Sequence, residues 1–210
     1  MIKMIEVVME HLGRALQIYS DGSHYDTMLE AKNQYFALTG QVFEEDEDYE
    51  SRMSAFNDWY LLQFVSEDGC PIWNYVEENT VEDNVSKALR TVKHSIYEYV
   101  GKNFKKQHVL KDIVHNRKIV LSKRAIIPSL LKNDLFIGRV IETEGEYFTL
   151  SGLCLLPGEI KGILKKEGKR IRAFNDLKKE VEFLLLVESL KTKWIRYGHL
   201  DAKSIFVFDS

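Results

Sequence analysis

The spacing of apolar residues changes near Ser95, and this change constrains the fold more than any other feature of the chain. Before it, apolar side chains recur every three or four positions; after it, they gather in short β-prone runs. A chain patterned in this way builds helices first and a compact set of strands second, which is the signature of an α+β protein.

The helical pattern is clearest at Ile5, Val8, Leu12 and Leu16, an amphipathic stripe of about four turns that Asp21-Gly22-Ser23 interrupts. A second helix is predicted from about Tyr25, with Met28, Ala31, Tyr35 and Leu38 as its stripe and Gly40 after its end. In a third, Tyr49, Met53, Phe56 and Tyr60 lie beside Ala55, Trp59 and Leu62, so that helix should bury a broad face. Pro71 can open a short helix through Trp73 and Tyr75, and another is expected around Val85 and Leu89.

Strands are predicted at Ile96–Val100, Val109–Ile113 and Lys118–Leu121, then at Leu135–Glu142 and Tyr147–Leu156 around the turn residues Thr143-Glu144-Gly145-Glu146. Five strands in so short a stretch must manage their edges, which favours a small antiparallel barrel. A helical stretch is expected after Pro157, a long helix from Phe174 to Tyr197, and a last strand at Ser204–Phe208. The expected organisation is an acidic helical part over residues 1–94, a barrel-like β-unit over 95–158, and a basic helical part over 159–210. Only three prolines and no Ser/Gly-rich tract argue for close packing of these parts.

The near-neutral total charge conceals an asymmetry. Residues 1–90 hold 6 basic and 18 acidic side chains, a net of −12, whereas residues 91–210 hold 23 and 14, a net of +9. Either the basic part awaits an anionic partner or the two parts attract each other within one molecule, and the second reading is the simpler one. Glu6, Glu10 and Arg14 interrupt what an export signal would need as an apolar core, and two cysteines 84 positions apart fit a reducing compartment. The expected location is the cytoplasm.

Few residues point to chemistry. The acidic run from Glu44 to Glu50, read as a calcium loop from Asp46, has Ser51 where glycine is needed and Asn57 where a bidentate glutamate belongs. The six histidines form no close metal pair, and Cys70, at a turn that could expose it, has no partner base in sequence. No catalytic residue, metal site or cofactor is therefore assigned. The basic residues Lys102, Lys105, Lys106, Lys111, Arg117, Lys118, Lys123 and Arg124, beside Tyr97, Tyr99 and Phe104, form the candidate anion or nucleic-acid surface. A second basic cluster runs from Lys161 to Arg172.

The segment Phe56-Asn57-Asp58-Trp59-Tyr60-Leu61-Leu62, followed by Asp68-Gly69, resembles the F-x-[DE]-W-[FY] signature of a poorly characterised bacterial module often found in SEC-C-motif proteins. Later features recur in similar order, from Tyr97-Glu98-Tyr99-Val100 to Asn133–Arg139 and Phe148–Gly152, so the resemblance spans roughly residues 45–160. Gln63 stands where that family commonly has aspartate, and the SEC-C cysteines are absent. The resemblance implies helices feeding a small β-unit and carries over no zinc site and no catalytic residue. Its signature positions here are Phe56, Asp58, Trp59 and Tyr60.

These readings favour a non-enzymatic binding or regulatory module that contacts another protein. A nucleic-acid-binding protein using the basic β-unit and an enzyme of unrecognised class are the alternatives.

Overall fold

The computed structural model describes residues 4–127 and 130–208. Five helices come first: α1 (Met4–Tyr19), α2 (Tyr25–Thr39), α3 (Tyr49–Leu62), α4 (Pro71–Glu78) and α5 (Asp83–Arg90). Six strands follow, β1 (Lys93–Lys102), β2 (His108–Asp112), β3 (Arg117–Val120), β4 (Leu135–Thr143), β5 (Glu146–Thr149) and β6 (Cys154–Leu156), and then α6 (Lys161–Phe174), α7 (Leu177–Arg196) and α8 (Ala202–Ile205). The protein is α+β, with a curled antiparallel half-barrel sheet and a long helix, α7, near its C-terminus.

The front helices form where the apolar period predicts them. In α1, Val8, Leu12, Ala15 and Tyr19 are buried along one stripe. The broad face of α3 buries Ala55, Phe56, Trp59, Tyr60 and Leu61, and its rings meet Tyr35 and Phe36 of α2 and Phe64 at centroid separations of 5.3–5.9 Å. Each such ring stabilises the fold by about 1.5–3 kcal/mol through burial. The turn after α2 requires glycine twice over. Gly40 has φ +91°, and a Cβ there would meet Thr192 Cγ2 of α7 at 2.6 Å.

The sheet order is β3-β2-β1-β4-β5, every pairing antiparallel, with β6 sharing the outer edge of β4 beside β5. The β4–β5 turn places Glu144 and Gly145 at φ +52° and +75°, the two left-handed positions of a tight hairpin. Leu121 at the end of β3 bridges Tyr147 of β5, and the Ser122 N–H donates to the Tyr147 carbonyl at 2.9 Å. That contact curls the two ends of the sheet toward each other.

Alternation then sorts the strand side chains. Tyr97, Tyr99, Leu110, Ile119, Leu121, Phe136 and Val140 fill the concave inside, over which Ala125, Ile127 and Leu130 pack. Ile96, Ile113, Leu135 and Ile137 face outward onto Leu164 of α6, Phe183, Leu184 and Val187 of α7, and Ala202 and Ile205 of α8. Ile141 and Leu150 extend the same sheet into the core of the front helices.

The expected last strand at Ser204–Phe208 does not form: Ser204 and Ile205 end the short helix α8, and residues 206–208 follow it without regular structure. The Asp201 carboxylate accepts from the Lys203 N–H at 2.8 Å and starts α8, and Ala202, Ile205 and Phe206 become buried at helical rather than alternating spacing. No described helix is long and apolar enough to cross a membrane.

Candidate functional site

The eight basic residues singled out from sequence fall on the β-unit at three levels. Lys102, Lys105 and Lys106 surround the tip of the β1–β2 hairpin, and Lys123 and Arg124 follow β3. Lys111 on β2 stands directly opposite Lys118 on β3. Arg117 lies at the far end, where its Nε donates to the buried Asp112 carboxylate at 2.9 Å.

The hairpin tip is ordered by one side chain. The Asn103 amide oxygen accepts from the N–H groups of Lys105 at 2.9 Å and Gln107 at 3.0 Å, and Lys106 takes the left-handed conformation at φ +60°. Gln107 Nε2 ties the loop to the Leu121 carbonyl at 3.3 Å, next to Lys123. Phe104 stands 92% exposed on this braced loop, with Lys105 Nζ 5.7 Å from its ring centre. Tyr97 and Tyr99, named beside it in the sequence reading, point inside the half-barrel. Their hydroxyls meet the Lys93 carbonyl at 3.0 Å and His108 Nδ1 at 2.8 Å. Burial, then the Lys102 charge, holds the His108 imidazole below its ordinary range.

The two basic clusters of the sequence meet in space. Lys111, Ile113 and Asn116 form one wall of a cleft of about 240 Å³, and Lys165, Lys169 and Arg172 form the other. Gly168 lets α6 approach the sheet closely: a Cβ there would lie 3.1 Å from Val114 Cα. Arg172 Nη1 donates to the Val114 carbonyl at 2.9 Å, which fixes that wall.

The helix that carries Phe56, Asp58, Trp59 and Tyr60 serves the interior. Phe56, Trp59 and Tyr60 are buried in the aromatic cluster, and the Tyr60 hydroxyl donates to the Tyr19 carbonyl at 2.5 Å. Asp58 accepts the Gly152 N–H at 3.2 Å, and burial raises its carboxyl to about 6 against the opposing pull of Arg139 and that hydrogen bond. Arg139 of β4 is only 1% exposed and donates twice to Gln63 Oε1, at 3.0 and 2.6 Å. Gln63 thus supplies a neutral acceptor to a buried guanidinium.

Further buried polar contacts run between α2, α3 and α7. Tyr35 donates to Glu188, Arg52 donates to Thr192 and to the Gly40 carbonyl, and Lys191 pairs with Asp48. The last contact ties the acidic run to the basic C-terminal part. Asp46 of the same run accepts the Phe43 N–H at 2.9 Å, a turn contact.

Cys70 is buried, contrary to the exposure its turn suggests. Pro71 opens α4 immediately after it, and its Sγ meets the Leu61 carbonyl at 3.4 Å. Burial raises its thiol, and raises that of Cys154 to about 12, away from the thiolate form. Among the described residues no three His, Cys, Asp or Glu side chains are grouped to hold a metal ion.

Sequence spacing shows the row Lys165, Lys169 and Arg172 at helical intervals, but not that Lys111 faces it. Fold and surface together define a class: an α+β protein whose helices wrap a curled half-barrel sheet with a cationic outer flank and hairpin tip. The chain belongs to a family of unknown function, DUF7986, whose model matches residues 14–182. No curated protein and no solved structure matches it.

Proposed function

We propose that this protein is a binding module for single-stranded nucleic acid, engaged by the β1–β2 hairpin tip. The observation that carries the reading is Phe104, 92% exposed on a loop braced by Asn103 and Gln107, with Lys105 Nζ 5.7 Å from its ring and Lys102 and Lys106 in the same hairpin tip. A nucleobase can stack on such a ring while the cations take the flanking phosphates, and stacking on one aromatic is worth roughly 1–3 kcal/mol. Ordering the loop beforehand lowers the entropy lost on binding.

Fluorescence anisotropy with a labelled single-stranded oligonucleotide tests this directly. Binding should weaken steeply as salt rises and fall about tenfold or more in Phe104→Ala. No binding at low salt would end the reading.

A contact with another protein is the second reading. It is supported by a hollow of about 620 Å³ between α2, the end of α3 and α7, where Leu38, Val65, Leu177 and Leu186 are all exposed. Val65→Lys and Leu186→Lys substitutions would then abolish co-purification of a partner while leaving oligonucleotide binding intact.

A further inference from the structure

We infer that the cleft between β2 and α6 is a binding site for a phosphate group, distinct from the hairpin tip. Four cations, Lys111, Lys165, Lys169 and Arg172, line one hollow of about 240 Å³ together with Asn116 and Ile113, and no carboxylate lines it.

The neighbouring carboxylates are already engaged elsewhere. Glu98, directly opposite Lys111 on β1, pairs with Lys161. Asp112 takes Ser95, His115 and Arg117, Glu180 takes His115, and Glu167 takes Arg170. Among the described residues, Lys111, Lys165, Lys169 and Arg172 have no carboxylate within ion-pair distance, although acids surround the site. Like charges gathered in a cleft without counter-charge leave an unfavourable potential that a dianion relieves.

The geometry favours phosphate over a diffuse acidic surface. Lys165, Lys169 and Arg172 stand at i, i+4 and i+7 on α6, one above another along a single face. Lys111 meets them from the sheet, so an anion in the cleft is approached from both walls. Gly168 keeps the walls together and the Val114 carbonyl holds Arg172 in place, so one cation of the cleft is positioned before any ligand arrives. Arginine supplies a planar fork suited to phosphate oxygens, and the lysines supply point charges. Such a group can belong to a phosphorylated small molecule or to a nucleic-acid strand; the chemistry recognised is the same.

Isothermal titration of the full chain with inorganic pyrophosphate at about 50 mM salt tests the site. Saturable one-site binding is expected, weakened about tenfold or more in Lys165→Ala/Lys169→Ala, since charge-assisted hydrogen bonds are lost. Lys132→Ala, an exposed cation outside the cleft, should change affinity by less than about twofold. Absence of saturable binding, or equal losses in the double variant and Lys132→Ala, overturns the assignment. Pyrophosphate makes no use of Phe104, so a failed oligonucleotide experiment leaves this result standing. Displacement of bound pyrophosphate by the oligonucleotide would identify the phosphate as a strand's, and lack of displacement would identify a small phosphorylated ligand.

Discussion

The Tyr35 hydroxyl donates a 2.5 Å hydrogen bond to Glu188, 153 positions away in the chain, and neither side chain is reached by water. Burial raises both groups above their ordinary ranges, so the phenol stays protonated and donates. The second carboxyl oxygen of Glu188 has no partner. This contact fixes α2 against α7 at a definite register, a relationship that interchangeable apolar contacts specify less sharply.

Tyr35→Phe keeps the ring and its aromatic neighbours but leaves Glu188 without its donor. Stability in urea unfolding should fall by about 1–3 kcal/mol. In Glu188→Leu, the further loss on adding Tyr35→Phe should be clearly smaller, because the two residues act as one unit. Equal losses in both backgrounds would show that the hydrogen bond contributes nothing.

Asp58 gives a pH signature. Its folded pKa, about 6, lies above the ordinary carboxylate value, so between about pH 4 and 6 the folded state binds the extra proton. The contribution of this group is therefore favourable at low pH and lost as pH rises through 6. Asp58→Asn cannot titrate, so its stability minus that of the parent should increase from pH 4 to 7, by about 2 kcal/mol. A pH-independent difference would refute the raised carboxyl.

His94 has the opposite sign. It is buried with both ring nitrogens unpaired, and burial followed by the Arg139 charge holds its imidazole well below the ordinary value. A depressed histidine contributes stability that is complete above the unfolded pKa near 6.5 and is lost as pH falls below it, by up to about 1.4 kcal/mol per unit. The ring resonances of His94 in NMR spectra should show no titration between pH 7.5 and 5. A midpoint near 6.5 would mean that the site admits water.

Local rules carry the helices and hairpins well. Val8, Leu12, Ala15 and Tyr19 repeat at helical spacing, and the short Thr143-Glu144-Gly145-Glu146 segment carries a glycine able to take positive φ, so α1 and the β4–β5 turn can be read directly. The links that organise the interior are not legible in this way. Arg139 and Gln63 are 76 positions apart, and Lys111 and Lys165 are on different elements; nothing in either local pattern says that they meet. The apolar run after Ser204 reads as a strand until Asp201 is recognised as a helix cap. The basic residues were countable in sequence, but whether the acidic helices covered them depended on packing. Of the eight chosen from sequence, Arg124 shares a hollow with Glu6 and Met9 of α1, and the Lys191–Asp48 pair joins acidic and basic parts elsewhere.

Two aromatic substitutions separate core from surface. Trp59 is buried between Tyr35 and Phe64, at centroid distances of 5.3 Å from each, so Trp59→Ala removes a ring from a packed core and should cost about 3–5 kcal/mol. Phe104 contacts solvent on almost all sides, and Phe104→Ala should change stability by no more than about 0.5 kcal/mol. Thermal unfolding and oligonucleotide anisotropy on both variants give the contrast. Trp59→Ala should lower Tm, and any loss of binding should follow the loss of folded protein. Phe104→Ala should keep Tm and lose affinity, because its exposed ring gives up little beyond the solvent-facing contact with Lys105. Unchanged affinity in a fully folded Phe104→Ala would remove the hairpin tip from the interface.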